Sequence, residues 1–483
     1  MVTSTTFGYD ASMINGLNIL PSYANYFNIN GPHGTTILAL NTASVWIGGI
    51  LAGVSFGKVT DIIGRRPALF WAAIITLFAV ILQTAAQNVG MFVAARIFIG
   101  YGTSASALTG PAYLAETLPF RWRAWGLGIF NDFYYNLGGL IAAGITYGTS
   151  FMPSTWAWRI PSAIQGVFSI LCILLLPFTP ESPRWLAFQG RPEDAFRVVA
   201  LTHASGDVND AVVLVQHKEI IDTIDYEKNT AEPLSLAQMV KTPSARKRML
   251  LCSSVAVFST VAGNVIVSYY LGTMLTNAGV TNTTTQLQIN IILNAFSLVC
   301  ALVGTYYVDR LGRKPTAIIS IGSLTIFLFL VGALTKTYGV NSTNNSGIYA
   351  TVAMIFLFQG AYSFGWTPLL YVYPPEVLNY AIRANGMGAF QFVLNGTALM
   401  AVFAFPFALA HIGWKTYMIN AAWDALEVPF VWWYWVETQG KTLEEIDEVL
   451  DGVKHSNAPD LEKVIRGEAE GISMEKTDDD VKE

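Results

Sequence analysis

Two charged side chains fall where so apolar a sequence should have none. Asp10 sits in GYDASMINGL (Gly8–Leu17) and Arg96 opens RIFIGYG (Arg96–Gly102), each inside a run of apolar residues. An ionised group at the centre of a bilayer costs ~2.5–3.5 kcal/mol even on lenient insertion scales, so such groups are kept for function. A carboxylate that is in turn ion-paired and stripped of water changes its hold on a proton, which is what coupling to proton movement requires. The plainer alternative is a static buried pair that orders two helices.

A second set of charges recurs in order along the chain. The first half has Asp61, Arg65, Glu116, Arg123 and Glu181, and the second has Asp309, Arg313, Glu376, Arg383 and Glu437. Asp61 to Glu116, Glu116 to Arg123 and Arg123 to Glu181 are 55, 7 and 58 residues, against 67, 7 and 54 for the matching steps in the second half. Matching order and the identical seven-residue step mark an internal repeat. Two six-helix halves related in this way form the parallel repeat of major-facilitator transporters.

The elements that must carry these residues follow from solvent preference. Of 483 residues 53% are hydrophobic and 13% charged, against roughly 25% charged in a soluble domain. Apolar stretches are predicted as helices at 2–26, 36–57, 68–87, 91–113, 125–147, 158–179, 248–275, 286–308, 315–335, 349–373, 385–410 and 415–436. Most are long enough to cross a ~30 Å hydrocarbon core. The predicted fold is therefore an all-α membrane protein of twelve transmembrane helices in two pseudo-symmetric halves. Its divisions are an N-terminal half (1–179), a helical linker (180–247), a C-terminal half (248–436) and a tail (437–483). Helical spacing of apolar residues marks two linker pieces, Pro192–His203 and Val208–Tyr226, and one in the tail, Thr442–Val453.

Lysine and arginine gather at one end of these spans, which makes that end, the linker and both termini cytoplasmic by the positive-inside rule. The sequons at Asn282, Asn341 and Asn344 fall in loops of the other side, whereas the Asn395 sequon lies inside a span. Cys172, Cys252 and Cys300 all lie in apolar runs and read as packing residues. The five histidines have no ligand spacing, and no phosphate loop or nucleophile–base arrangement is present in the sequence. No enzyme activity, cofactor, metal or nucleic-acid partner is expected.

Several motifs in the right order resemble the sugar-porter family of the major facilitator superfamily, over essentially the whole chain. They are DIIGRRP, RIFIGYG, YLAE (Tyr113–Glu116), PESPRWL (Pro180–Leu186), DRLGRKP and VETQGKTLEEID (Val436–Asp447). GYDASMINGL and WTPLLYVYPPEVL (Trp366–Leu378) resemble the fungal branch that includes lactose and cellodextrin permeases. The resemblance implies that Asp10 faces Arg96 and couples to protons, since facilitative relatives have asparagine at the aspartate position. It also implies that the two charge series are cytoplasmic gate latches, each exposed pair contributing about 0–1 kcal/mol. Ile62 stands where the family usually has arginine, a position that Arg310 keeps in the second half, so the first latch is expected to be the weaker.

For sugar recognition the resemblance points to Asn131 on the fifth helix, Thr260 and Asn264 on the seventh, Asn294 and Ser297 on the eighth, and Tyr371 on the tenth with Trp366 nearby. Thr260 replaces a family glutamine, Ser297 an asparagine and Tyr371 a sugar-stacking tryptophan. The eleventh helix reads AVFAFPF (Ala401–Phe407) where related permeases are polar. The implied function is sugar import, of a mono- or disaccharide, by proton symport in the plasma membrane, through a carrier that acts as a monomer. Alternatives are a transporter-like sugar sensor and a carrier of another polar metabolite such as quinate or a polyol. Only nine residues precede Asp10, about 13 Å of helix, and they include four consecutive hydroxyl residues, Thr3, Ser4, Thr5 and Thr6. The sequence is thus expected to begin late, with about 20–60 residues and an apolar half-helix preceding it in the full product.

Overall fold

A computed structural model describes residues 2–119, 126, 128–230, 238–339, 342, 344–378, 380–439, 446 and 449–450. The long helices are α1 (Val2–Ile19), α2 (Gly34–Ile63), α3 (Arg65–Thr84) and α4 (Val89–Thr117). Helix α5 enters through a π turn (Ile129–Phe133) and continues as Tyr134–Thr149, and α6 is Trp156–Leu175. In the second half α7 comes in two pieces, Pro243–Val261 and Asn264–Asn277. The remainder are α8 (Thr283–Leu311), α9 (Arg313–Tyr338), α10 (Asn345–Val377), α11 (Tyr380–Ile412) and α12 (Lys415–Tyr434).

Nine helical segments among the described residues are long and apolar enough to cross a membrane. The three helices outside that set have physical reasons. Helix α1 spends positions on Thr3, Ser4, Thr5, Thr6 and Asp10, and α12 carries Asp424 and Glu427. Beyond its π turn, α5 has only 16 residues.

The helices pack as two copies of one arrangement. Contacts α2–α4, α3–α4, α3–α6 and α1–α5 of the first half recur as α8–α10, α9–α10, α9–α12 and α7–α11 in the second. Between the halves α2 packs on α11, α8 on α5, and α1 on the later piece of α7, so the interface repeats as well. Each helix keeps one face for its neighbours and leaves residues such as Phe78, Leu174, Ile326 and Met400 exposed, as expected where the surrounding solvent is lipid.

Two predicted spans are interrupted. The first stops at Ile19, where Leu20 is extended and Pro21 begins a separate turn to Tyr26, because a residue before proline is pushed out of the helical region. The seventh breaks at Ala262–Gly263, with Gly263 left-handed at φ 80°. Of the linker pieces, Pro192–His203 lies where the sequence puts it. The second runs Ala211–Thr230, and a short unpredicted helix, Pro183–Phe188, is capped by the Ser182 hydroxyl. Most of the tail piece Thr442–Val453 lies outside the described residues.

Candidate functional site

Asp10 and Arg96 meet inside the first half. Arg96 Nη1 approaches Asp10 Oδ1 at 2.5 Å, with the residues 0% and 3% exposed. Gln165 of α6 donates to the same oxygen at 3.0 Å, so α1, α4 and α6 converge on one carboxylate. Tyr9 donates to the Pro161 carbonyl at 2.9 Å and fixes α1 against the proline of α6. Breaking a buried pair by removing one partner costs about 3–5 kcal/mol, because the other charge is left uncompensated.

Around Phe7, on the same helix as Asp10, stand aromatic rings drawn from both halves. Phe7 packs on Trp46 of α2 and on Tyr135 of α5, with centroids 6.4 and 5.6 Å apart, and Trp46 meets Tyr269 of α7 at 6.4 Å. Tyr135 and Tyr269 lie within electrostatic reach of Asp10, and Tyr135 also of Tyr362 and Tyr371 on α10. The Tyr362 hydroxyl donates to the Ser259 carbonyl at 2.9 Å, just before the α7 break. Rings at this density offer stacking faces and hydroxyls together, the combination that a flat polar molecule needs.

The expected binding residues do not all gather there. Thr260 donates to Thr397 of α11 at 2.8 Å, and Asn264 starts the later piece of α7 and accepts from Ser268 at 3.1 Å. Asn294 donates to Asn290 Oδ1 at 3.1 Å and lies against Gly139 of α5. Ser297 is buried, and its hydroxyl has no hydrogen-bond partner among the described residues. Tyr371 joins the tyrosine group. Trp366 does not: it is fully buried edge-on against Trp435, 6.1 Å away, in a packed seam of the second half. Asn131 falls in the π turn of α5, and its side chain lies outside the described residues.

At the end carrying the repeated motifs, the two halves build the same device. Arg65 bonds Glu116 at 3.0 Å and reaches Asp61 at 3.4 Å, while Arg313 bonds Glu376 at 2.8 Å and Asp309 at 2.9 Å. Glu181 accepts from the backbone N–H groups of Arg65 and Arg66 at 3.0 and 3.2 Å, and Glu437 from those of Arg313 and Lys314 at 2.9 and 3.0 Å. A carboxylate at a helix N-terminus satisfies orphan donors and complements the helix dipole. Ser182 donates to Glu116, and Thr438 donates to Glu376 at 2.6 Å.

Each of these four ion pairs joins helix ends of one half. Their immediate work is to clamp each half as a unit, whereas the sequence suggests latches that open and close. The looser Asp61–Arg65 contact agrees with the expected asymmetry, and Ile62 is exposed while Arg310 lies over the Tyr306 ring at 4.3 Å. Arg123 and the Arg383 side chain lie outside the described residues.

Direct bonds between the halves come from residues that the sequence reading passes over. Asn15 and Asn18 of α1 donate to the Val267 and Tyr269 carbonyls of α7 at 3.4 and 3.0 Å, and Asn15 also bonds Asn290 of α8 at 3.2 Å. Towards the motif end, Thr305 of α8 donates to the buried Asp132 of α5. Asp132 is a carboxylate inside a predicted span, the same signal that singles out Asp10, but no motif draws attention to it.

Comparison with known proteins supplies the family. Residues 1–450 match the family described as "Sugar (and other) transporter". The high-affinity glucose transporter of Kluyveromyces lactis is 28% identical, over 93% of this chain and 83% of that protein. The MFS-type transporter oryC of Aspergillus oryzae is also 28% identical, over 92% and 82%. Among solved structures, the proton:xylose symporter XylE bound to 6-bromo-6-deoxy-D-glucose superposes with a TM-score of 0.76 at 23% identity, covering 93% of this chain and 97% of that one. The partially occluded inward-open form of XylE from E. coli gives 0.75 at 22%, covering 91% and 97%. These likenesses establish the twelve-helix, two-half architecture.

Proposed function

The chain belongs to the Sugar (and other) transporter family, a family of membrane carriers and not enzymes, and on that footing we propose that it imports a sugar together with a proton. The observation that carries the coupling is the Asp10 carboxylate, buried within 2.5 Å of Arg96 and beside tyrosines contributed by both halves. Loading the site from one side protonates Asp10 and loosens its hold on Arg96, and the halves then rock about their shared interface. The driving force is adequate, at ~2.3 kcal/mol per charge per 100 mV and ~1.4 kcal/mol per pH unit.

In this reading Tyr371, Tyr362 and Tyr135 present the stacking faces, and Thr260, Asn264, Asn294, Ser297 and Asn131 supply hydrogen bonds between 1–179 and 248–436. Trp366 acts from behind, through packing. The motif end faces the cytoplasm, the helical linker 180–247 braces it, and the protein works as a monomer in the plasma membrane. The glucose transporters among the relatives and the sugar-bound XylE support a monosaccharide cargo.

One observation favours a second cargo class. With Thr260 bonded to Thr397 and Asn264 to Ser268, several polar groups are already occupied, and the shell around them is aromatic. A site with fewer free hydrogen-bonding groups suits a less hydroxylated ring such as quinate. Uptake of radiolabelled glucose and xylose by a yeast lacking its own hexose carriers, with and without a protonophore, tests the proposal. Accumulation abolished by the protonophore is expected. Protonophore-resistant accumulation removes the coupling, and no uptake of either sugar alongside uptake of quinate moves the cargo to the second class.

A further inference from the structure

Away from the interface between the halves, α7 and α12 leave a groove of about 340 Å3 on the outer face of the second half. Its walls are apolar: Val257 and Phe258 on the earlier piece of α7, and Leu426 and Phe430 on α12. Leu250 and Trp423 at its rim are exposed, so the groove opens towards the hydrocarbon of the bilayer. Glu427 also lines it, and that residue is 1% exposed.

Neither Glu427 oxygen has a hydrogen-bond partner among the described residues, although the Trp423 indole one turn away lies near the carboxylate. Asp424, one turn earlier and also buried, has one oxygen held by Asn420 at 3.1 Å and the other without a partner. Two buried carboxyl groups three residues apart on one helix thus leave three of their four oxygens unmet among the described residues, where no described cation is paired with them. A buried polar group left unpaired is costly, and an ionised one more so.

We propose that this groove binds a lipophilic amine, a single-chain or ring-bearing amphiphile whose ammonium seats on Glu427 while its apolar body fills the cleft between α7 and α12. Charge complementarity selects the amine over a neutral alcohol. Depth selects it over an aminophospholipid. Glu427 lies seven residues before Tyr434, the last residue of α12, which is about 10 Å of helix. A headgroup amine reaching that far would drag its phosphate into hydrocarbon, beside two carboxylates. The occupant bears on the earlier piece of α7 only four residues before its end at Val261. It therefore weights the equilibrium of the break at Gly263 by whatever difference in affinity the two arrangements have. The proposal does not rest on the identity of the transported cargo.

The test uses the full chain in phosphatidylcholine nanodiscs, with dodecylamine and dodecanol as probes and native mass spectrometry as the readout. Saturable dodecylamine binding is expected, at least tenfold tighter than that of dodecanol, and reduced at least tenfold by Glu427→Gln. Should Glu427→Gln not fold, Ser253→Phe, which narrows the groove without touching the carboxylate, is expected to cut amine binding to the same extent. Equal amine binding by the wild type and the folded variant overturns the proposal. So do equal affinities for the amine and the alcohol, which would mark a groove filled by any chain. Competition by phosphatidylethanolamine as effective as that of dodecylamine would assign the groove to a headgroup and reject this occupant.

Discussion

Thr305 on α8 donates a hydrogen bond to Asp132 on α5 and so ties the two halves together through a buried carboxylate. The other Asp132 oxygen has no partner among the described residues, so this hydroxyl carries a disproportionate share of the satisfaction of that charge. Thr305→Val should therefore lower stability by about 1–3 kcal/mol, the cost of leaving a buried acceptor unmet. The Asp132→Leu/Thr305→Val double variant should recover most of the loss. Melting of the purified protein decides, and an unchanged melt for Thr305→Val would show that the bond contributes nothing.

Asp10→Asn is expected to abolish concentrative uptake while sugar exchange across the membrane stays measurable, since exchange moves no net proton. Full accumulation by this variant, still collapsed by a protonophore, would refute the coupling role. Arg96→Leu, by contrast, leaves Asp10 buried with only Gln165 as a described partner, and should cost about 3–5 kcal/mol. Surface delivery is expected to fall for both variants, since each strands one member of a buried pair, and to fall less for Asp10→Asn, whose amide oxygen can still accept from Arg96.

The tyrosine shell and the buried tryptophan should separate in their effects. Tyr371→Ala is expected to weaken cargo binding about tenfold, or ~1.4 kcal/mol, with normal folding. Trp366→Ala removes a fully buried ring packed on Trp435 and should lose about 3–5 kcal/mol of stability. Binding isotherms and melts on the same preparations check both, and a stable, binding-deficient Trp366→Ala would return that residue to the site.

Gly64 and Gly312 join α2 to α3 and α8 to α9 at φ 96° and 95°. A Cβ there would lie 2.8 Å from Glu181 Oε2 and 2.7 Å from Glu437 Oε2. Alanine at either position meets both the left-handed penalty of roughly 1–2 kcal/mol and a clash with the capping carboxylate. Both variants should melt earlier, and the Gly64→Ala/Glu181→Ala pair should lose less than the sum of its members. Strict additivity would show that the cap and the turn are independent.

Much of this architecture was legible because hydropathy reports which residues prefer lipid, and the charge series repeats in order. The helix count and the two halves follow from those two signals, whereas the pairing of Asp10 with Arg96 comes from the family resemblance. Partnerships within the bundle were less accessible. Arg65 and Arg313 read as switchable gates, yet each binds within its own half, because periodicity places a residue on a helix without saying which neighbour the helix meets. Gln165 carries no charge to mark it, and Trp366 reads the same whether it faces a cavity or a seam. Asp132, Asp424 and Glu427 did carry the intramembrane-charge signal, and they were overlooked because no motif surrounds them.

The interruption of α7 divides its allegiance. Below the break, Arg248 donates to the Val377 carbonyl at 2.9 Å and Ser254 accepts from Trp435 at 3.0 Å, so that piece travels with its own half. Above it, the Val267 and Tyr269 carbonyls and the Leu271 N–H are held by Asn15 and Asn18 of the opposite half. One helix is thus an elbow with its forearm in another body's grip. Releasing that grip means exchanging a few amide hydrogen bonds for water, each worth about 0.5–1.5 kcal/mol net, and leaves the packed seams intact. The opposite end can then open as a small door on a rigid wall, at a cost thermal motion can meet, before the wall itself has to turn.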